Sequence, residues 1–516
     1  MPAWHSLRNA GGTTVVALAA IVFLWLTWTI VYRIFFHPLA KYPGPLLARV
    51  TNLYSAYHAW RGDIHLDIWR CHQTYGQRVR YAPNRLVINT SKALHDIYGH
   101  SAKVTKFKGY HFLASQAPNT LTLSDKAQHA PRRRVISQAF SENSLRLFEP
   151  AQLSRINRFC QVLRSHRQPA AEWTVPLDMA QQFDRLMFDV MTSVAFNADY
   201  RTMEEPKFRY VMEAIAAANI RLGVIMQLPE LTTFRLDRSI FRESTAAGAR
   251  FVKFLRILLS KRLERHSESK DIFSFLQQCK DPDTGEGLST IELSTETATF
   301  IVAGSDTTST TMAAVSYYLS GSPRCYKRAA EEVRRTFQSV EEIRLGHKLN
   351  SCVFLRACID EAMRLTPPGG SSLWREVERG GSIIGDDFIP EGCEVGVGVY
   401  AIHHNPDYWK DPFSYKPERW LKDTDGLNRN TDNKQTYVPF NIGSRSCVGK
   451  PLALAQQMLT YARLLWEFDF RRAADDKQTC KIKGEDDDDV PLTEYVLKDH
   501  LTGQNQGPVL RFRARF

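Results

Sequence analysis

Cysteine is scarce in this 516-residue chain, and its nine copies are spread from Cys71 to Cys480 without one C-x-x-C pair. Disulfide frameworks and structural zinc sites use closely spaced cysteines. The spacing therefore disfavours both and favours a reducing compartment. The chain also lacks an internal repeat with a period of about 20 to 50 residues, which excludes solenoids and propellers.

The sequence also lacks the low apolar content and high charge that are typical of disordered chains. Apolar residues make up 43% and charged residues 24% of the sequence, which is ordinary for a globular protein. At about 150 residues per domain the length suggests about three domains, although one large domain with an appendage also fits. The formal net charge of +12 makes phospholipid, nucleic acid or an acidic protein candidate partners, and charge alone does not choose among them.

Charged residues are absent between Asn9 and Tyr32. As a helix this stretch spans about 36 Å, enough for a bilayer core of about 30 Å. A cleaved secretory signal is the alternative, but its apolar core is about 7 to 15 residues and ends at small residues. Here the aromatic-rich segment Tyr32–Pro38 follows, so residues 1–32 are predicted to be a retained membrane anchor.

The charges that flank the apolar stretch predict its orientation. Arg8 is the one charged residue before it, whereas Arg33, Lys41 and Arg49 follow it. Positive residues are enriched on the cytoplasmic side of a membrane helix. We therefore expect a single-pass protein whose body is cytosolic.

Turn-forming residues divide the rest of the chain. A Pro-Gly-Pro sequence at 43–45 predicts a stiff elbow, so 33–50 is interpreted as a connection and 51–516 as one folded, functional domain. Within it, Arg78–Asn89 is predicted to be a hairpin, and Val509–Arg513 alternates like an edge strand. Most of the remaining sequence is helical in pattern.

Two helices can be delimited by their ends. Ser289 and Glu292 have the spacing of a capping box, which opens a helix of about 30 residues that ends near Leu319. Another helix is predicted over Cys352–Leu365, where two prolines at 367–368 stop it. The sequence therefore predicts a mainly α-helical fold with a small β region.

The segment Phe440–Gly449 reads FNIGSRSCVG and places glycines on both sides of Cys447. Glycine permits unusual backbone angles and close approach of another group. Helical sequence resumes at Pro451, so Cys447 lies just before a helix N-terminus, whose partial positive charge favours a thiolate. Such a thiolate is a potential metal ligand. A free buried cysteine is the alternative, and it is the interpretation for the other eight.

This segment resembles the F-x-x-G-x-R-x-C-x-G loop of the cytochrome P-450 haem-thiolate monooxygenases at every fixed position. The matching residues are Phe440, Gly443, Arg445, Cys447 and Gly449. The resemblance implies the cytochrome P-450 fold, with one N-terminal transmembrane helix. It also implies that heme b is the cofactor and that Cys447 is the axial ligand of its iron.

Two further segments resemble landmarks of the same family. Glu361 and Arg364 match the E-x-x-R helix, and Pro417–Trp420 resembles the P-E-R-F segment, with Trp420 in place of phenylalanine. Alone, a glutamate and an arginine three residues apart usually form a weak surface pair. The resemblance implies instead a buried triad of Glu361, Arg364 and Arg419, in which removal of one partner would cost about 3 to 5 kcal/mol.

The middle of the long predicted helix, Ala303–Thr308, resembles the A-G-x-D-T-T signature of the family. Glycine at a mid-helix position costs about 1 kcal/mol, and aspartate and threonine compete with the helical backbone. The resemblance implies that Gly304 leaves room for dioxygen while Asp306 and Thr307 hold water and pass on protons. The alternative is that Thr307 only bonds the carbonyl of Ala303 and that Asp306 points to solvent.

Three arginines align with family positions that bind haem propionates: Arg133, Arg375 and Arg445. His129 stands where the family's W-x-x-x-R pattern has tryptophan, and it can still donate to a propionate. Alone, each arginine would more often be a surface residue.

The resemblance also implies a distal pocket for a lipophilic, fairly bulky substrate held by shape more than by charge. The small residues at 369–372 leave space near the iron. The residues expected to line the pocket are Phe107, Tyr110, Phe112, Phe300, Ala303, Gly304, Gly370 and Ser371.

The function implied by the resemblance is insertion of one oxygen atom of O2 into a lipophilic small molecule. No G-x-G-x-x-G follows a strand and no flavin domain is evident, so NADPH electrons would come from a separate NADPH-cytochrome reductase, with cytochrome b5 as a second donor. The anchor implies the cytosolic face of the endoplasmic reticulum, with the membrane as partner and no nucleic acid. The sequence WREV at 374–377 is similar to fungal members, many of which act in secondary metabolism.

Arg132, Arg134 and Lys450 are expected near the cysteine loop, where an acidic reductase surface would dock.

Two rival functions stay open. A haem-thiolate isomerase or dehydratase that works without O2 is disfavoured by Asp306 and Thr307. A non-catalytic membrane-anchored protein of the same fold is disfavoured by the intact cysteine loop. The sequence does not identify the substrate or the carbon that is oxidised.

Overall fold

The computed structural model describes residues 2–114, 117–264, 270–421, 435–474 and 494–516, with side chains from residue 15 onward. The helices are α1 Pro2–Val31, α2 Leu46–Val50, α3 Leu53–Arg61, α4 Ile64–Tyr75, α5 Ser91–Tyr98, α6 Lys126–Ser137, α7 Glu142–Ser165, α8 Met179–Phe196, α9 Tyr210–Gln227, α10 Leu236–Ile240, α11 Arg242–Glu264, α12 Ile272–Gln278, α13 Thr290–Gly321, α14 Pro323–Thr336, α15 His347–Asn350, α16 Val353–Leu365, α17 Val399–His403 and α18 Lys450–Glu467. The strands are β1 Arg78–Ala82, β2 Arg85–Ile88, β3 Val104–Lys106, β4 Leu177–Asp178, β5 Arg375–Val377, β6 Ser382–Ile384, β7 Asp387–Ile389, β8 Glu394–Gly396, β9 Phe468–Arg472, β10 Leu497–His500, β11 Thr502–Asn505 and β12 Val509–Ala514. The predicted mainly α-helical fold with a small β region is confirmed.

The long helix α13 begins and ends close to where the sequence predicts. Ser289 Oγ accepts a hydrogen bond from the Glu292 N–H at 3.4 Å, and the Glu292 carboxylate accepts one from the Ser289 N–H at 2.9 Å, which completes the capping box. The helix runs for 32 residues and most of its side chains are buried. Helix α8 packs along it at Gly304, where a Cβ would lie 2.6 Å from Met191 Cε on α8.

The strands form small sheets at the periphery of the helices. The largest has the order β1-β2-β8-β5-β3, and its β1-β2 pair is the hairpin predicted over Arg78–Asn89. The predicted strand at Val509–Arg513 also exists, as β12. Its prediction as an edge strand is wrong, because β12 lies between β4 and β9 and pairs with both. The hairpin β10-β11 packs against α13.

The N-terminal helix stands outside this body. Val15–Phe36 has a mean hydropathy of 2.3, none of it is buried, and it is long enough to cross a membrane. The elbow that follows packs against the body, since Leu39 and Tyr42 are buried and the Arg80 N–H donates to the Pro43 carbonyl at 2.8 Å. Glycine is required at 44, because a Cβ there would overlap the Arg80 carbonyl oxygen.

Candidate active site

Cys447 differs from the other cysteines in its exposure. Its side chain is exposed, whereas the seven other cysteines of the described segments are buried. Its N–H donates to the Phe440 carbonyl at 2.8 Å. Burial raises the pKa of the Cys447 thiol, while the N–H groups of Gly449 and Lys450 and the charge of Arg133 act in the opposite direction. These groups stabilise a thiolate, the form that binds metals.

The backbone of the cysteine loop depends on glycine at one position in particular. Gly443 has a φ of +71°, in the left-handed region that favours glycine. A Cβ there would also overlap the Tyr98 carbonyl oxygen at the end of α5. At Gly449 a Cβ would lie 3.8 Å from the Cys447 sulfur. Gly443 therefore lets the loop pack against the body, and Gly449 keeps one side of the sulfur clear.

A cavity of about 540 Å³ beside the cysteine loop is lined by positive charge. Lys106, Arg133, Arg375 and Arg445 line it, and within the part of the chain that the structure describes none of them has a carboxylate within 4.0 Å. Lys106 is only 7% exposed and Arg375 only 4%. Because buried charges are costly without a counter-charge, this cavity has the chemistry of a receptor for a group that carries carboxylates, and haem b fits it.

The hydrogen bonds of the arginines fix their positions around this cavity. Arg133 donates to the Ser446 carbonyl at 2.8 Å, so α6 is tied to the cysteine loop. Arg445 donates to the Leu123 carbonyl at 2.6 Å and the Ser124 carbonyl at 3.0 Å. Burial, together with the charges of two neighbouring arginines, lowers the pKa of Arg445 to about 10.

His129 lines the same cavity one helical turn before Arg133. Burial and the charges of Arg445 and Lys106 lower the pKa of His129 to about 3. The imidazole is therefore neutral at physiological pH and can donate from one ring nitrogen only.

Lys106 is a site residue that the sequence analysis missed. It lies in β3, where Val104 and Lys106 are buried on the same side and Thr105 is less buried. Burial, with Arg375 and Arg445 nearby, lowers its pKa well below the usual range. The alternation of β3 was the only available signal, and alternation alone does not tell which side of a strand faces a charged cavity.

Glu361 is the centre of a buried polar cluster. Arg364 donates to both of its carboxylate oxygens, at 2.9 and 3.0 Å, and Arg419 donates at 2.9 Å. The Glu361 and Arg364 side chains are completely buried. Trp420, at the position where the family has phenylalanine, donates its indole N–H to Glu361 at 3.0 Å. The triad expected from the resemblance thus has a fourth member in this chain.

In the middle of α13 one residue is exposed and two polar side chains are held by hydrogen bonds. Ala303 is exposed although most of the helix is buried. Thr307 Oγ1 donates to the Ala303 carbonyl at 2.7 Å, which is the alternative considered for that residue. Asp306 does not point freely to solvent, because Asn219 and Thr502 both donate to it. Burial raises the pKa of Asp306 to about 6, against the effect of these two hydrogen bonds.

The residues expected to line a distal pocket fall into two groups. Residues on the wall of an open cavity are accessible to solvent. The first group meets this condition at least in part, since Ala303 is exposed and Phe112 and Ser371 are half-buried. The remaining aromatic candidates lie in packed surroundings: Phe107 under Arg85, Phe300 edge-on to Phe140, and Tyr110 beside Lys106 and Arg375.

Gly370 is buried, and a Cβ there would lie 2.9 Å from the Cβ of His65 on α4. The space that a side chain would occupy is therefore filled by protein, and the role of Gly370 in lining the pocket stays a prediction. At Gly304 a Cβ would point toward Met191 on α8, so the absence of a side chain allows α8 and α13 to pack closely there.

Known proteins resemble this chain over most of its length. The family profile of cytochrome P-450 matches residues 42–487. The cytochrome P-450 monooxygenase poxM of Penicillium oxalicum is 47% identical over 493 residues, which cover 95% of this chain and 93% of the relative. The cytochrome P-450 monooxygenase AKT7 of Alternaria alternata is 40% identical over 511 residues, 97% of each chain. The cytochrome P-450 monooxygenase atnE of Emericella nidulans is 40% identical over 526 residues, which cover 100% of this chain and 99% of the relative. The chain therefore belongs to the cytochrome P-450 family and is a haem-dependent monooxygenase, an oxidoreductase.

Proposed function

We propose that this protein is a membrane-anchored enzyme that inserts one oxygen atom from O2 into a lipophilic small molecule in fungal secondary metabolism. Two observations carry the proposal. The Cys447 side chain is exposed, and the residues just before it in the loop, Gly443–Ser446, line a cavity with four cations that lack carboxylate partners in the described segments. Haem b, bound through Cys447, supplies the activation of dioxygen. The named relatives support the pathway, since they are fungal monooxygenases.

The residues of the chain have distinct roles in this proposal. Lys106, Arg133, Arg375 and Arg445 would hold the carboxylates of the haem, and the N–H groups of Gly449 and Lys450 favour the thiolate form of Cys447 against the effect of burial. On the opposite side, Asp306 and Thr307 hold and move the protons that the reaction consumes. The exposed Ala303 leaves an apolar surface for the substrate.

The electron donor is proposed to be an NADPH-dependent flavoprotein reductase, with cytochrome b5 as a second donor. The docking surface expected from the sequence needs revision. Arg132 pairs with Glu292 and lies 3.9 Å from Glu296, and Arg134 pairs with Asp281, so these charges are used within the fold. Of the three cations, Lys450 alone has no carboxylate within 4.0 Å among the residues that the structure describes.

Membrane attachment is proposed to involve more than α1. Exposed apolar side chains occur on α2 and α3 and, further along the chain, in α10 and just before it. Asn52 donates to Glu230 at 3.4 Å, which places these two regions side by side. The exposed residues are Leu46, Leu47, Leu53, Trp60, Phe234, Leu236 and Ile240. This surface would rest on the cytosolic face of the endoplasmic reticulum membrane next to the anchor.

The experiment that tests the proposal is a reconstitution with an NADPH-cytochrome reductase. The reduced carbon monoxide complex should give the absorption band of a thiolate-bound haem, and NADPH and O2 should be consumed together when an extract of candidate metabolites is added. Product formation that is independent of O2 would support the isomerase or dehydratase instead. Absence of the carbon monoxide band would contradict the proposed function.

A further inference from the structure

Three side chains from three different elements form a closed set of hydrogen bonds at Asp306. Asn219 Nδ2 on α9 donates to Asp306 Oδ2 at 3.0 Å and to Thr502 Oγ1 at 2.7 Å. Thr502 Oγ1 on β11 donates to the same Asp306 oxygen at 2.5 Å. We call these three residues the carboxyl ring.

The donors and acceptors of the carboxyl ring balance. The amide of Asn219 has two hydrogens and uses both, and the hydroxyl of Thr502 accepts one hydrogen bond and donates one. Both donors are neutral and both contact Oδ2. The other oxygen of Asp306, Oδ1, has no hydrogen-bond partner in the described part of the chain. It is also not one of the fully buried polar atoms there. Oδ1 is therefore accessible to water.

The charged surroundings of Asp306 are sparse. Helix α8 presents Asp184, whose pKa is raised to about 7, chiefly by burial and also by the charge of Asp306. Asp178 and Arg185 lie near Asp184 with opposite effects on it. From α9 and β11 only the neutral groups of the carboxyl ring act on Asp306, so no cation holds this carboxyl permanently ionised. Both protonation states are within reach near neutral pH.

The carboxyl ring also links parts of the fold that surround the middle of α13. The strand β11 is tied to α13 a second time, because Thr310 Oγ1 donates to the Gly503 carbonyl at 2.9 Å. It is tied to α9 a second time through Gln504, which donates to the Ala216 carbonyl at 2.6 Å. The orientation of Asp306 therefore depends directly on one side chain from α9 and one from β11, and the two further hydrogen bonds do not touch its carboxyl.

We propose that Asn219 and Thr502 are positioning residues that orient the Asp306 carboxyl, so that Oδ1 faces water and passes protons along α13. In each transfer the carboxylic acid gives up one proton and takes one back from water. This inference rests on the proposed monooxygenase function, and it adds two residues to the machinery that serves Asp306. Thr307 directly follows Asp306 on α13, and its hydroxyl, which donates to the carbonyl of the exposed Ala303, is the neighbouring hydroxyl in the sequence of this helix.

The test compares variants that remove one donor with variants that keep it. Thr502→Val and Asn219→Leu remove a donor at nearly constant volume, and Thr502→Ser restores the hydroxyl. Thr310→Val is the matched control, because it breaks a hydrogen bond between the same strand and helix without touching Asp306. Two quantities are measured on the haem-loaded proteins: product formed per NADPH, and the pH titration of the Asp306 carboxyl by infrared difference spectroscopy, assigned with Asp306→Asn.

We expect Thr502→Val and Asn219→Leu to lose about 10-fold in product per NADPH, part of the about 10²- to 10⁴-fold that a positioned proton donor contributes. Since both hydrogen bonds lower the pKa of Asp306, their loss should also move the infrared titration upward by about one pH unit. Thr502→Ser and Thr310→Val should resemble the wild type in both measurements.

Wild-type coupling and an unmoved titration in Thr502→Val and Asn219→Leu would overturn the inference. An equal loss in Thr310→Val would do so as well, because it would reveal a purely structural link. If Thr502→Val retains no haem, the infrared titration of Asn219→Leu decides. Failure of the proposed function itself is distinguishable, because it would leave the wild type without NADPH-dependent product.

Discussion

The proposed role of Thr307 in proton transfer depends on a single atom, its hydroxyl oxygen. Its hydroxyl donates to the Ala303 carbonyl at 2.7 Å, and Ala303 is exposed, so the hydroxyl lies where the helix opens to the site. We predict that Thr307→Ala continues to oxidise NADPH but releases hydrogen peroxide in place of most of the product. Thr307→Ser should restore coupling. Full coupling in Thr307→Ala, measured as product per NADPH, would show that protons travel elsewhere.

Lys106 offers a second test at the scale of one residue. If the cationic cavity holds the haem carboxylates, Lys106→Met should speed haem loss to apomyoglobin about 10-fold, since charge-assisted hydrogen bonds are among the stronger polar contacts. Lys126→Met is the matched control, because Lys126 lines the same cavity but pairs with Glu378 at 2.5 Å. Equal rates of haem loss from wild type and Lys106→Met would contradict the role assigned to Lys106.

Residues differ in how much of their role can be predicted from sequence. Cys447 and Glu361 are predictable because their partners lie within a short motif or at fixed helical spacing. Lys106 and the partners of Asp306 are not, because β3, α9 and β11 meet the site only after folding. Gly370 shows the same limit, since the direction in which a glycine lacks a side chain depends on the neighbouring elements.

At the scale of elements, local signals predict the ends of helices better than the position of strands. The capping box of α13 is local and is found as predicted. The strand β12 was correctly predicted as a strand but not as a central one, because its neighbours β4 and β9 come from distant parts of the chain. Sequence alternation reports a strand's two faces and carries no information about its two edges.

The link between α16 and the segment Pro417–Trp420 gives the prediction for this scale. Glu361→Gln should lower the free energy of unfolding by about 3 to 5 kcal/mol, because the buried Arg364 and the largely buried Arg419 lose their counter-charge. Trp420→Phe, which restores the residue typical of the family, should cost about 1 to 3 kcal/mol through loss of one hydrogen bond to a charged group. Urea unfolding measures both. Glu331→Gln is the control, because its pair with Arg335 is exposed.

For the whole molecule, the arrangement of exposed apolar surface predicts two contributions to membrane binding. Deletion of residues 1–32 should move much of the protein from the microsomal pellet to the supernatant while the haem content is kept. Some protein should stay bound, because Phe234 is 93% exposed and Leu47 is 58% exposed. Adding Phe234→Ser and Leu47→Ser should release the remainder. Ile383→Ser, which changes an exposed apolar residue on β6, should not.

The outcomes of sedimentation separate the two contributions. Complete release by the truncation alone would contradict the proposed membrane contact of the exposed apolar residues on α2, α3 and the α10 region. Unchanged sedimentation of the truncated protein would contradict anchoring by the apolar helix Val15–Phe36.

The central claim is that Cys447 binds the haem iron through its sulfur. The most direct measurement is the reduced carbon monoxide spectrum of Cys447→Ser beside that of Cys160→Ser, which alters a buried cysteine, with haem content determined separately. We predict that Cys447→Ser loses the thiolate band completely while Cys160→Ser keeps it. A thiolate band retained in Cys447→Ser would contradict the account.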